Sequence, residues 1–172
     1  MARYQEPGQE LLARLQLHLR WLRSQGEEGE RLSLPGADLG GLRLAGLTLE
    51  NADLGGARLV GAQLAQARLA GIRLFRADLS GARLMHADLS GANLIGACLE
   101  QAQLTGATLI AAKLNLARLA GADLYDANLS GADLTRADLT GADLRKARLD
   151  GARLGEVRLD GALLEGVRGL TP

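Results

Sequence analysis

Aromatic residues are scarce: one Phe, one Trp and two Tyr in 172 residues. Large rings usually fill much of a globular core, so a conventional core of that kind is excluded. Cysteine occurs once, at Cys98, so no disulfide can close within the chain. The two histidines, His18 and His86, fall in unrelated segments, and with a single cysteine they make no metal set of plausible spacing. Neither sign of charge is in excess, with 20 basic and 20 acidic residues. The balance is local too: residues 1–31 carry five of each sign and residues 32–172 fifteen of each. A polybasic nucleic-acid or membrane surface is therefore not expected. No apolar run approaches the roughly 18 residues of a membrane span. Met1 to Gln9 lacks the apolar centre of a signal peptide, so the expected location is cytoplasmic.

Leucine, in contrast, is laid out with strict regularity. It occupies every fifth position from Leu34 to Leu164, which is 27 repeats. Five residues of helix would rotate successive leucines about 140° apart, and five of strand would alternate their faces. Neither element keeps such a column on one side, so the chain must turn once per repeat. Ala stands two before the leucine in 22 of the 27 repeats, and Gly two after it in 16. Ala-x-Leu is thus a short extended piece with Ala and Leu pointing inward. The next two residues make the turn, whose second position suits φ > 0 and hence glycine. The residue before each leucine points outward and is polar in all but two repeats, the exceptions being Cys98 and Leu163. One such unit buries nothing alone, but stacked units bury a continuous leucine column, as in a solenoid.

Before the repeats, Gly8 to about Ser24 reads as an amphipathic helix. Leu11, Leu12, Leu15, Leu19 and Leu22 form its apolar stripe, and Gly26 suits its stop. An open solenoid end leaves unpaired backbone and bare leucines, so this helix is expected to cap the first coil. Residues 1–7 are expected to be frayed. The division is a cap and connector over 1–31, a repeat solenoid over 32–168 and a tail over 169–172.

Ala127-Asn128-Leu129-Ser130-Gly131 and Ala142-Asp143-Leu144-Arg145-Lys146 resemble the consensus of the pentapeptide repeat family, and the resemblance covers about four-fifths of the chain. It implies an all-β solenoid, a right-handed quadrilateral β-helix with four repeats per coil. That makes about seven coils and a rod on the order of 33 Å long. The pattern from His18, Trp21 and Leu22 to Gly29, Arg31 and Leu32 resembles the N-terminal extension of many bacterial members. The resemblance also implies a non-catalytic rod that binds a protein partner or serves as a scaffold, with no cofactor and no metal. The family's best-understood members protect DNA gyrase and topoisomerase IV from quinolone-type inhibitors by mimicking DNA, which makes gyrase the alternative partner. Those members are strongly acidic and dimerise through a C-terminal helix; this sequence is neutral and shows no such helix.

Sorting repeats by a 20-residue coil gives candidate contact residues. The face through Leu54 to Leu154 has Arg73, Arg76, Lys113, Arg136 and Arg153 against Asp53, Asp133 and Glu156, a surplus of 5 − 3 = +2. Phe75 and Ile95 are expected to stack there, with Leu116 nearby. At the other end Leu163, Val167 and Leu170 make the last coil apolar, which points to a homodimer through the C-terminal coils. Cys98, in an outward slot, is expected to be a reachable thiol.

Overall fold

A computed structural model of the protein describes residues 6–170. Most of the start expected to fray, and Thr171–Pro172 of the tail, lie outside the described residues.

From Ser33 to Arg168 the backbone pairs in parallel with the residue 20 positions on, beginning with Ser33↔Asp53 and ending with Arg148↔Arg168. Four repeats therefore complete one coil, and each outward residue stacks on its counterpart in the next. Among the described residues there is no extended strand. Three residues between turns leave room for one bridging residue per repeat.

The hydrogen bonds repeat with the sequence. Asp53 donates its N–H to the Leu32 carbonyl at 2.9 Å, back to the coil before. Leu54 donates to the Arg73 carbonyl at 2.8 Å and Gly56 to the Phe75 carbonyl at 2.9 Å, on to the coil after. Ala57 closes the turn on the Leu54 carbonyl at 3.0 Å. Every turn has φ between +54° and +71° two residues after the leucine, whether or not glycine is there. The sixteen glycines meet the steric demand of that left-handed conformation. Eleven other residues, among them Gln66, His86, Ala111 and Leu116, adopt it at a cost. Several of these lean over a glycine on the next coil: a Cβ on Gly121 would meet the Gln101 side chain at 2.0 Å, and one on Gly106 would meet His86 at 2.5 Å.

The core is the column of Ala and Leu. Every column residue from Ala52 to Leu149 is at most 2% exposed, including Ile72.

The helix, α1, runs Gln9–Arg23. Its end is a Schellman motif with Gln25, not Gly26, as the first left-handed residue: Gly26 donates to the Trp21 carbonyl at 2.8 Å and Gln25 to that of Leu22 at 3.4 Å. The connector then returns across the helix. Gly29, at φ +77°, sits where a Cβ would be 2.2 Å from the Leu17 carbonyl oxygen. The helix lies against the first coil on a face centred on Leu15 and His18, both buried, and Leu12 of the expected stripe is left 44% exposed. Arg14 reaches the Ser33 carbonyl at 2.7 Å. The two ends differ as a result. Leu39, Leu44 and Leu49 are buried beneath the helix, whereas Leu163 and Leu164 are exposed and Val167 and Leu170 half-buried.

Two substitutions test the inside and the corners. Leu104→Asp places a charge without a partner in the column and should cost at least about 3–5 kcal/mol. Ala111→Gly should instead raise stability by roughly 0.5–1 kcal/mol, because it relieves a left-handed alanine. Thermal or urea unfolding measures both; a destabilising Ala111→Gly would mean that the corner carries no strain.

Candidate interaction surfaces

The outward slot has a structural duty before any functional one. Its ten Asp and Asn residues, from Asp38 to Asp143, each accept the N–H two residues on through Oδ1, closing the turn. Asp133 shows the arrangement: Thr135 N–H donates at 3.1 Å and Thr135 Oγ1 at 2.6 Å. These bonds, with a further one from the Asn115 side chain, hold the Asp133 carboxyl at about 2, against an ordinary value of 3.8. Asp138 and Asp143 are lowered in the same way, by Thr140 and Arg145 respectively. Asp123 and Asp143 stack, as the 20-residue sorting predicts, yet each has its own donors: Thr105 and Tyr125 for the first, Arg145 for the second. They are ladder groups held apart by separate partners, with no cleft between them.

Most surface charge is also paired along the ladders. On the face through Leu54 to Leu154, Arg73 pairs with Asp53 at 3.4 Å, Arg153 with Asp133 at 3.5 Å and Arg136 with Glu156 at 2.9 Å. The surplus of +2 resides on Arg76 and Lys113, which form no ion pair among the described residues. Phe75, Ile95 and Leu116 on this face are 42%, 37% and 56% exposed. The register places Phe75 and Ile95 on successive coils of one corner, and the Phe75 ring fills the space beside Gly55, where a Cβ would be 2.2 Å from it. Ile110, 42% exposed, borders the same face at the preceding corner. The column sorting passed over it because Ile110 belongs to a different turn column, although it flanks Lys113.

Cys98 is half-buried, less open than expected, with Sγ 3.0 Å from Ser80 Oγ. No group of three or more His, Cys, Asp or Glu is placed to hold a metal among the described residues. An open groove of about 610 Å³ runs beside α1, lined by Pro7, Leu12, Arg43 and Leu47. Among the described residues no helix is long and apolar enough to cross a membrane.

If the Asp slot caps the turn, Asp133→Asn, which keeps the acceptor, should cost well under ~1 kcal/mol, and Asp133→Leu about 1–2 kcal/mol. The pH dependence has a definite sign. A carboxyl lowered by folding stabilises fully above its unfolded value of 3.8, and that contribution is lost as pH falls through about 2. Acid unfolding below about pH 4 should be shallower in Asp133→Asn; equal acid slopes would refute the assignment.

Comparison with known proteins places this geometry. The model for pentapeptide repeats matches residues 33–71, 67–105, 102–141 and 127–166. Among solved structures, the chain is similar to QnrB1, a plasmid-mediated fluoroquinolone resistance protein, at 24% identity and TM-score 0.63, over 80% of this chain and 72% of that one. It is also similar to HetL, a pentapeptide repeat protein involved in heterocyst differentiation regulation from the cyanobacterium Nostoc sp. strain PCC 7120, at 28% identity and TM-score 0.49, over 90% and 96% of the two chains. A pentapeptide repeat protein of the Arabidopsis thaliana thylakoid lumen is 36% identical over 52% of this chain and 59% of its own, at TM-score 0.39. No curated protein matches. The likeness in fold makes the coil a solenoid of right-handed β-helix type. The five-residue period, the 20-residue coil and the match across residues 33–166 lead to one conclusion: the chain belongs to the pentapeptide repeat family.

Proposed function

We propose that the protein is a non-catalytic, cytoplasmic scaffold: a four-faced rod over residues 32–168, capped by residues 1–31, with a short tail over 169–172. One face binds a protein partner. The observation that carries this is the face of Phe75, Ile95 and Leu116, where apolar side chains are exposed beside Arg76 and Lys113 while its other charges are ion-paired. Apolar groups next to unneutralised cations suit a partner that offers carboxylates around an apolar centre. A photo-crosslinker at Ile95 should capture a discrete protein in cells, and Lys113→Glu should abolish capture. Capture from Thr140 on another face, with none from Ile95, would reject this face.

The second reading is a modulator or protector of DNA gyrase that acts as a DNA mimic and confers quinolone resistance. The fold shared with QnrB1 favours it. The charge opposes it, since DNA mimicry calls for surplus anions and the ten outward Asp and Asn side chains here are committed to turns and ion pairs. In a supercoiling assay with and without a quinolone, the protein at micromolar concentration should neither inhibit nor protect; protection would establish the second reading in place of the first.

A homodimer through the C-terminal coils is part of the proposal. Beyond Leu149, whose N–H donates to the Arg168 carbonyl at 2.8 Å, the forward inter-coil bonds stop, and Leu154, Leu159 and Leu164 have no backbone acceptor among the described residues. The Ala162 carbonyl and the Leu164 N–H flank Leu163 on this free edge. Two such edges related by a two-fold form one antiparallel pair with Leu163 opposite Leu163, the side-chain pair that lies closest in such a ladder. Val167 and Leu170 extend the apolar surface. Light scattering at tens of micromolar should give a dimer mass, and Leu163→Glu a monomer; an unchanged mass would exclude this interface.

A further inference from the structure

Among the described residues His18 is the one polar residue that is buried, at 0% exposure. Its Nδ1 accepts the N–H of Leu32, the first inward residue of the repeats, at 3.1 Å. Nδ1 must therefore be unprotonated, and the ring is the neutral tautomer with its proton on Nε2. Nε2 faces the Glu50 main-chain carbonyl yet makes no hydrogen bond of ordinary geometry. On its other side the ring stacks on Trp21, with centroids 5.8 Å apart and planes 12° from parallel.

A second proton could go only to Nδ1. That would set two donors, the imidazolium N–H and the Leu32 N–H, against each other and leave a cation in a site closed to water. The charged groups facing His18 do not reverse this. Arg31 of the connector opposes a cation. Glu50 of the first coil favours one, but Arg68 already pairs with it at 2.6 Å. On α1 itself, Arg14 is engaged with the Ser33 carbonyl. Burial is the largest influence and lowers the affinity of His18 for a proton.

We propose that His18 is an acid-sensitive latch: its neutral ring holds α1 on the first coil, and its protonation releases the helix. Release uncovers Leu32, Leu39, Leu44 and Leu49, and with them the backbone edge of the first coil. The rod itself stays closed in the same pH range: the turn bonds of Asp133, Asp138 and Asp143 hold these carboxyls below their ordinary value, so they remain charged where an ordinary histidine titrates.

The sign follows from linkage. The docked ring takes up a proton less readily than a free one of ordinary value 6.5. Docking is therefore undiminished above that value and weakens as pH falls below it, by up to tenfold per pH unit until the docked ring itself protonates.

Trp21 is the only tryptophan and reports directly. Between about pH 8 and about pH 4.5 the native protein should show a one-proton change in Trp21 emission with a midpoint below 6.5, a loss of helical ellipticity and a shift of the Leu32 amide resonance, all at the same midpoint. His18→Asn, which keeps an acceptor but cannot titrate, should abolish the three changes; His86→Asn should leave them intact. A flat wild-type response overturns the latch, as does the same response in His18→Asn. An emission change with no loss of ellipticity overturns release. Should His18→Asn fail to dock, the wild-type Leu32 resonance decides alone, and its invariance with pH overturns the proposal.

Discussion

The left-handed corner is the constraint on which everything else rests. One residue in five must take φ near +60°, and this alone turns three extended residues into the side of a coil. Once each corner closes, the Leu and the residue before it are aimed at the coils above and below, and the inter-coil hydrogen bonds follow in fixed register. Glycine makes the corner inexpensive, but eleven corners do without it. At these positions the bonds on both sides hold a conformation that an isolated residue would avoid. Cooperativity between neighbouring coils, more than local preference, therefore sets the backbone in mid-rod.

The same geometry decides what surface charge is available for function. An Asp or Asn in the outward slot points over its own turn, where the next N–H but one needs an acceptor. Its carboxylate then takes hydroxyls or arginines from adjacent positions. The family's Ala-(Asp/Asn)-Leu pattern is in this light a turn cap repeated along a rod. Balanced composition and short-range pairing thus have one origin, and on the apolar face Arg76 and Lys113 stand outside that pairing.

Much of this was legible in the sequence because a period of five is incompatible with both regular elements. The leucine column, the inward Ala, the left-handed turn position and the helix before Leu32 all follow from spacing and side-chain size. The 20-residue coil followed only from the family resemblance, since the spacing says that the chain turns but not how often it turns before it closes. The placement of His18 was harder to see. A histidine on an amphipathic helix has no sequence mark of burial, and the stripe of leucines drew the buried face one residue away, onto Leu12. The role of Asp133 was half visible: outwardness can be read from alternation, whereas a bond to the backbone two residues on depends on the turn's exact shape. Ile110 escaped because two corners border each face, and a one-column sort sees only one of them.

A solenoid of identical rungs has little to distinguish one rung from another, so its individuality concentrates where the pattern is interrupted. Here the interruptions are of three kinds: an apolar corner flanked by unpaired cations, an end whose outward Leu163 departs from the polar slot, and an opposite end closed by a helix. The ends differ in kind as well as in cover. A parallel coil points the N–H of each leucine and the carbonyl of each inward Ala toward higher residue numbers, while both polar groups of the outward residue point back. The forward edge is self-complementary under a two-fold, because donor and acceptor flank a single residue. The backward edge is complementary to a forward one, so the two bare ends of a rod would stack into an open chain of rods. A helix over the backward edge removes that option, while the proposed two-fold pairing would use the forward edge alone. If the rods pair as proposed, α1 limits assembly as well as shielding leucine, by closing the edge that would otherwise extend the stack.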